Sequence, residues 1–275
     1  VDDRDVTSFV DIHNHLVPGV DDGARDVAAV LDSVERFTRL SVRRILTTPH
    51  LEGSLTLDAV RLEERLAMVG DAWTRAADAI HEHFPEVTFH RGHEILLDVP
   101  HADFSDPRVR LAGSRFVLVE WPRLQLPPGT VSVLAGIRDQ GWFPIVAHPE
   151  RYAGMGQAIG LAQQWRQVGA RLQVNFGSLV GRYGPAAQAT AFRLLRRGWV
   201  DYLASDFHGH PRLKLNVDEA AETLETVGGG EVLAYLYRTN PARVLSDEEP
   251  LPVPVLPSER GLWARLKRFI GRSST

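Results

Sequence analysis

The chain has 275 residues, a formal net charge of −4, 44% apolar residues and no cysteine. Disulfides and a thiolate nucleophile are therefore excluded, and no apolar run reaches the roughly 20 residues that span a bilayer. The acidic balance carries no global signature of nucleic-acid binding, and with no secretory signal visible a soluble cytoplasmic protein is expected.

The first apolar run, at residues 9–13, reads as a strand that closes on His13 and His15, with Asp21 and Asp22 in the loop behind it. Helical spacing follows in Val27, Val30, Leu31, Val34, Phe37 and Leu40. Residues 44–48 give a second strand, closed by His50 in "ILTTPH", and a long helical stretch covers 57–84. A third strand at 87–95 carries Glu94 near its end. Four more strands, at 116–121, 143–148, 171–176 and 202–205, are spaced by helical patterns at 131–140, 159–168, 186–197 and 217–227. "GGG" (residues 228–230) reads as a helix break. Strand runs rich in Val, Ile, Leu and Phe suit a parallel sheet covered by helices. Seven strands alternating with helices point to the α/β class and a (β/α) barrel or barrel-like sheet.

The pattern changes after residue 245. "SDEEPLPVPVLP" (246–257) is Pro-rich and reads as a stiff, extended linker. In residues 258–275, Leu262, Trp263, Leu266, Phe269 and Ile270 can share a helical face, and Arg265, Lys267, Arg268 and Arg272 add positive charge. Such a tail either docks on its own barrel or meets an anionic membrane surface or a partner. The expected division is thus 1–245, 246–257 and 258–275.

An α/β barrel keeps its active site at the carboxyl ends of its strands, and metal-ligating side chains recur there. His13 and His15 close the first strand, His50 the second, His148 the fifth, and Asp206 and His208 the seventh, with Glu94 at the end of the third. Asp22 sits in the first loop. Gathering several imidazoles and carboxylates without a cation costs several kcal/mol per unpaired group. Two or three divalent ions sharing a bridging carboxylate would balance them. Mixed His and carboxylate ligands suit Mn, Fe or Zn better than Mg or Ca. His81 and His83 read as surface residues, His90 as a packed one, His93 as alternating to the face opposite Glu94, and His101 and His210 as loop residues, His210 within reach of the site.

The motifs "DIHNHLVPGVDDGA", "TTPH", "GHEI", "LVEWP", "IVAHPERY", "VNFGSL" and "ASDFH" occur in this order. Together they resemble the PHP (polymerase and histidinol phosphatase) superfamily, and within it the CpsB/YwqE branch of bacterial metal-dependent protein-tyrosine phosphatases. The resemblance spans about residues 9–245. It implies a distorted (β/α) barrel of seven strands and a trinuclear metal site. One ion takes His13, His15, Glu94 and Asp206; a second takes His50, His148 and the shared Glu94. A third lies near Asp22 and His208, with His15 within reach. Asp21 is expected to hold the loop. Leu51 stands where the family usually has a second His, and Phe207 where a small residue is common; both are expected to alter substrate access.

The resemblance also implies the chemistry: hydrolysis of phosphotyrosine on protein, with a bacterial tyrosine kinase of polysaccharide export as substrate. Manganese is the first choice of ion, with Fe or Zn as alternatives. Divalent ions lower the pKa of water to roughly 7 and so supply hydroxide without a thiolate. Arg151 and Arg212 are candidates to clamp phosphate oxygens, since the guanidinium fork binds two at once. His208 is a candidate proton donor to the leaving group. A small-molecule phosphatase of the histidinol-phosphate type is the alternative enzyme, a PHP nuclease is disfavoured by the acidic balance, and a metal-stabilised scaffold is the alternative outside enzymes. The expected place of work is the cytoplasm, with the tail allowing contact with the inner membrane face.

Overall fold

Residues 8–256 are described in the computed structural model of the protein. The expected basic tail, 258–275, lies outside the described residues, as do residue 257 and residues 1–7.

β1 (Phe9–Asp11) leads through a loop into α1 (Val27–Arg39), whose first turn is capped by Asp26 accepting from Ala29 N. β2 (Val42–Thr47) is followed at once by β3 (His50–Glu52), and α2 (Ala59–His83) starts behind an Asp58 cap. β4 (Thr88–Arg91) likewise runs into β5 (Glu94–Leu96). Then come β6 (Phe116–Glu120), α3 (Thr130–Asp139), β7 (Phe143–Ala147), α4 (Gly160–Gln167) and β8 (Arg171–Asn175). α5 (Phe176–Leu179) and α6 (Pro185–Leu195) precede β9 (Tyr202–Ala204). α7 (Val217–Thr226), α8 (Gly230–Ala234), a π-helical turn at Tyr235–Thr239 and α9 (Asn240–Leu245) follow, and short 3-10 turns lie in the loops between the earlier elements.

All strand pairs are parallel. β1, β2 and β4 form one sheet, and β3, β5, β6, β7, β8 and β9 the other. The division arises because Pro49 has no N–H to continue the ladder. Thr48 N instead donates to Asn14 O (2.7 Å), and Glu94 N to Pro49 O (3.2 Å). β2 with β3, and β4 with β5, therefore act as two broken staves of a seven-stave ring. The ring returns on itself through a parallel bridge between Asn14 and Phe207, where Asp206 N donates to His13 O and His15 N to Phe207 O (2.8 Å each). This is the expected distorted seven-stranded barrel. Its distortion falls at residues 48–49 and 92–93, level with the candidate ligands.

Strand residues alternate faces. Val10, Leu46, Phe116, Leu118, Phe143, Ile145, Ala147, Tyr202 and Ala204 form one fully or nearly buried cluster inside the ring. Val117, Val119, Val146, Leu172, Val174 and Leu203 face outward and pack with helix residues such as Val34, Leu134, Trp165 and Leu194. The same alternation turns Glu120, Gln173 and Asn175 inward. Leu51 and Phe207, expected to modify access, are both fully buried in the outer core. Their side chains add packing rather than border an entrance, which corrects that expectation.

Residues 251–256 form no regular element, yet they are docked. The Asn240 amide bonds both Leu251 N and Leu251 O, Arg171 pairs with Glu249 (2.6 Å), and Leu256 is buried. Among the described residues, no helix is long and apolar enough to cross a membrane.

Candidate metal centre

The carboxyl ends of the staves build the centre. His13 and His15 leave β1, and the loop behind them folds back so that Ala24 N donates to His15 O (2.9 Å). Gly23 permits this contact, because a Cβ there would lie 2.1 Å from His15 O. Asp21 ties the loop to two staves: its Oδ2 meets His15 Nδ1 (2.9 Å) and accepts from His50 N (3.1 Å). Arg65 on α2 donates to Val20 O and His50 O (3.0 Å each). His50 and Glu94 are register partners on β3 and β5. His148 follows β7 and Asp206 follows β9, both in the left-handed region, with φ of 34° and 51°. Such conformations cost on the order of 1–3 kcal/mol each and persist only where the surroundings enforce them.

These side chains converge. His13 Nε2 lies 3.3 Å from Glu94 Oε2 and 3.5 Å from Asp206 Oδ1; His15 Nε2 lies 3.5 and 3.6 Å from the same two oxygens. His148 Nε2 is 3.0 Å from Glu94 Oε1, and His50 Nδ1 is 3.2 Å from Glu94 Oε2. Glu94 thus sits between four imidazoles. Asp22 Oδ1 stands 3.4 Å from His50 Nε2 and 3.5 Å from His208 Nε2, with the His208 ring stacked on His15 at 4.1 Å. Glu120 joins from β6, 3.4 Å from His50 Nδ1 and 3.7 Å from His148 Nε2. Among the described residues, four sets each bring their donor atoms within 4.8 Å of one another: His15, Asp22, His50 and His208; His13, His15 and Glu94; His13, His148 and Asp206; and His50, Glu94 and Glu120.

The neighbours of these groups fix which ring nitrogen faces inward. His13 Nδ1 donates to Gln173 Oε1 (2.8 Å), and Gln173 Nε2 donates to Asn175 Oδ1 (2.8 Å). Asn175 Nδ2 in turn donates to Asp206 Oδ2 (2.7 Å). With Nδ1 of His13 and of His15 committed to outer acceptors, each Nε2 presents a lone pair to the centre. The Nε2 atoms of His13 and His15 are buried without a hydrogen-bond partner, while His148 Nε2 meets Glu94 Oε1 at 3.0 Å. Two orphaned imidazole nitrogens aimed at carboxylate oxygens are the arrangement a divalent cation completes, so the residues present fit metal ions.

The electrostatics agree. Burial pushes the His13 imidazolium down, yet Glu94 and Asp206 outweigh it and hold the ring at about 9. Burial, then the charge of Glu94, raises the Glu120 carboxyl to about 8. Asp21 is held down at about 2 by His15 against the opposing effect of burial. The inner carboxylates thus draw positive charge toward themselves, and protons collect where cations would bind.

Each residue singled out from the sequence can now be located. His13, His15, Asp22, His50, Glu94, His148, Asp206 and His208 lie in one cluster. Arg151 borders it: Nη1 donates to Asp206 Oδ2 (2.6 Å), and the guanidinium lies 4.3 Å from the Tyr183 ring centroid. Arg212 occupies an exposed turn, its backbone N donating to His210 Nδ1 (3.3 Å). Among the described residues, no hydrogen bond or ion pair joins its side chain to the cluster. His81, His83, His101 and His210 are exposed, whereas His93 is buried with Nδ1 on Arg108 O. Glu120, Gln173 and Asn175 escaped the sequence reading. Strand alternation from Phe116 and Leu118 carried the signal for Glu120, and the polar side chains of "QVN" in a buried strand carried it for the other two.

A protein-family model described as capsular polysaccharide synthesis, CpsB/CapC, matches residues 9–246. The chain belongs to the CpsB/CapC family. Tyrosine-protein phosphatase YwqE of Bacillus subtilis (strain 168) is 27% identical over 258 residues, covering 92% of this chain and 97% of YwqE. Tyrosine-protein phosphatase CpsB of Streptococcus pneumoniae is 22% identical over 248 residues, covering 87% and 99%. A crystal structure from work on YwqE and CpsB, described there as unique metal-dependent tyrosine phosphatases, superposes with a TM-score of 0.73 at 24% identity. That match covers 91% of this chain and all of the other. At this identity the likeness supports the fold. Within the CpsB/CapC family match fall all the clustered side chains described above.

Proposed function

We propose that this CpsB/CapC chain is a metal-dependent protein-tyrosine phosphatase. Its centre takes two or three divalent ions through His13, His15, Asp22, His50, Glu94, Glu120, His148, Asp206 and His208. The observation that carries this reading is the pair of orphaned, inward-facing Nε2 atoms of His13 and His15 at the shared Glu94 carboxylate. The names of the relatives supply the substrate class. When bound, such ions provide positive charge for a phosphoryl group and lower the pKa of water so that hydroxide forms near neutral pH. The mixed His and carboxylate set suits Mn, Fe or Zn, and manganese is the first ion to test.

The protein's own groups do the remainder. Arg151 is held by Asp206 at the edge of the cluster, from which its planar fork can orient two phosphate oxygens. His208 donates Nδ1–H to Asp206 O (3.0 Å), which leaves only Nε2, facing Asp22. One lone pair cannot both hold an ion and deliver a proton, so His208 is assigned to ion binding. A phenolic leaving group, with a pKa of about 10, needs only modest protonation help. The capsular-polysaccharide description of the family supports a bacterial tyrosine kinase of polysaccharide export as the phosphorylated partner.

Chelated protein is expected to lose turnover of a phosphotyrosyl peptide and regain it with manganese. His148→Ala is expected to abolish turnover while circular dichroism stays that of a folded barrel. Full activity after exhaustive chelation would overturn the proposal. Parallel assays with phosphoseryl peptide and histidinol phosphate separate it from the small-molecule alternative.

A further inference from the structure

A groove of about 760 Å³ opens beside the centre, between the loop at residues 152–157 and the first turns of α6. Arg151, Tyr183 and Arg193 line it, and Arg151, bonded to Asp206 and packed on Tyr183, connects it to the centre. Several lining residues are small: Ala186 and Ala189 on α6, both exposed, and Gly154 and Gly156 on the loop. Small residues along a groove of this volume leave room for a chain rather than for one side chain.

Two further features mark it as built. Leu124, on its rim, follows Arg123, and both residues hold left-handed backbone with φ of 53° and 56°. Leu124 O is tied to Ala153 N (3.0 Å), which fixes the rim to the loop. Arg193 Nη1 donates to Gly156 O and so fastens the loop to α6. The charge of the groove is also one-sided. Its only lining carboxylate, Glu150, is 2% exposed and turned inward onto Asn175 N (3.0 Å) and Ser178 Oγ (2.6 Å). Among the described residues Arg193 forms no ion pair, whereas Arg151 is already engaged by Asp206.

We propose that this groove binds the peptide segment flanking the phosphotyrosine, with Tyr183 beside the phenyl ring and Arg193 receiving an acidic side chain of the substrate. The inference rests on the phosphatase reading and adds a sequence preference to it. Charge complementarity and continuity with Arg151 select the occupant. The phosphate lies at the centre, the substrate backbone runs past the Ala and Gly residues, and the carboxylate meets the guanidinium that no carboxylate among the described residues neutralises.

The test uses the manganese-loaded protein and phosphotyrosyl peptides carrying Glu or Gln at successive positions on either flank, with p-nitrophenyl phosphate alongside. Each comparison is a ratio of kcat/KM values within one protein, so that loss of folded enzyme cancels. At one flanking position the wild type is expected to favour Glu over Gln by roughly two- to fivefold, the size of a part-exposed ion pair. Arg193→Gln brings that ratio to near one, and Arg193→Lys restores part of it. Ala189→Trp, which fills the groove from an exposed helix position, lowers peptide turnover relative to p-nitrophenyl phosphate. A wild-type ratio near one at every position, or a preference that survives Arg193→Gln, overturns the inference while leaving phosphatase activity in place. Turnover of neither peptide nor p-nitrophenyl phosphate overturns the phosphatase reading and this inference with it.

Discussion

Glu94 is surrounded by His13, His15, His50 and His148, and the side chains behind them decide how those rings point. Gln173 is the clearest case. It reaches no candidate ion position, yet its Oε1 fixes the tautomer of His13, and its Nε2 links to Asn175 and so to Asp206. Gln173→Ala is therefore expected to weaken metal affinity by roughly 10–100-fold, the usual effect of losing such an orienting partner. Calorimetric titration of the chelated protein with manganese measures it, and unchanged affinity would remove Gln173 from this role. The residue also marks how far the sequence could be read. His and carboxylate groups at strand ends advertise themselves by type, as His50, His148 and Asp206 did. Gln173 and Asn175 do not, because an amide in a strand has many uses. Only the neighbouring stave, with His13 at hydrogen-bond distance, tells what they orient.

Among the elements, the loop that follows β1 carries Asp21 and Asp22 and packs on the His15 backbone. Gly23→Ala would set a Cβ against a backbone carbonyl, which has no rotamer to yield. A loss of at least about 2 kcal/mol is expected, within the range of backbone strain effects, and urea unfolding checks it. In β4, His90 is held below its ordinary pKa, first by burial and then by Arg44 on the adjacent β2. The unfolded chain then binds more protons than the fold once pH drops through 6.5, so His90 contributes a loss of stability toward acid. His90→Gln is expected to flatten that part of the stability–pH profile between pH 7 and 5; an unchanged slope would assign it to other groups. The long periodic helices α1, α2 and α3 were legible within one or two residues. The breaks inside the second and third staves were not, since a Pro or Gly within an apolar run reads as continuous until its hydrogen bonds are seen. α5 is too short to carry a period, and the π turn at Tyr235–Thr239 and the Pro241 entry to α9 obscure the helical spacing after residue 230.

For the molecule as a whole, ions bound only by the fold add to its stability. At free metal about 100 times the dissociation constant that gain is about 2.7 kcal/mol. For a chain of this size chelation is then expected to lower Tm by roughly 5–10 °C. Scanning fluorimetry with and without chelator checks this, and an unshifted Tm would argue that the cluster holds no ion. The ring closure between Asn14 and Phe207 has one more consequence. His13 and His15 emerge early in synthesis, Asp206 and His208 late, and the backbone bonds that hold the first pair also hold the last. The full set of candidate ligands is therefore assembled only when the last stave is seated against the first.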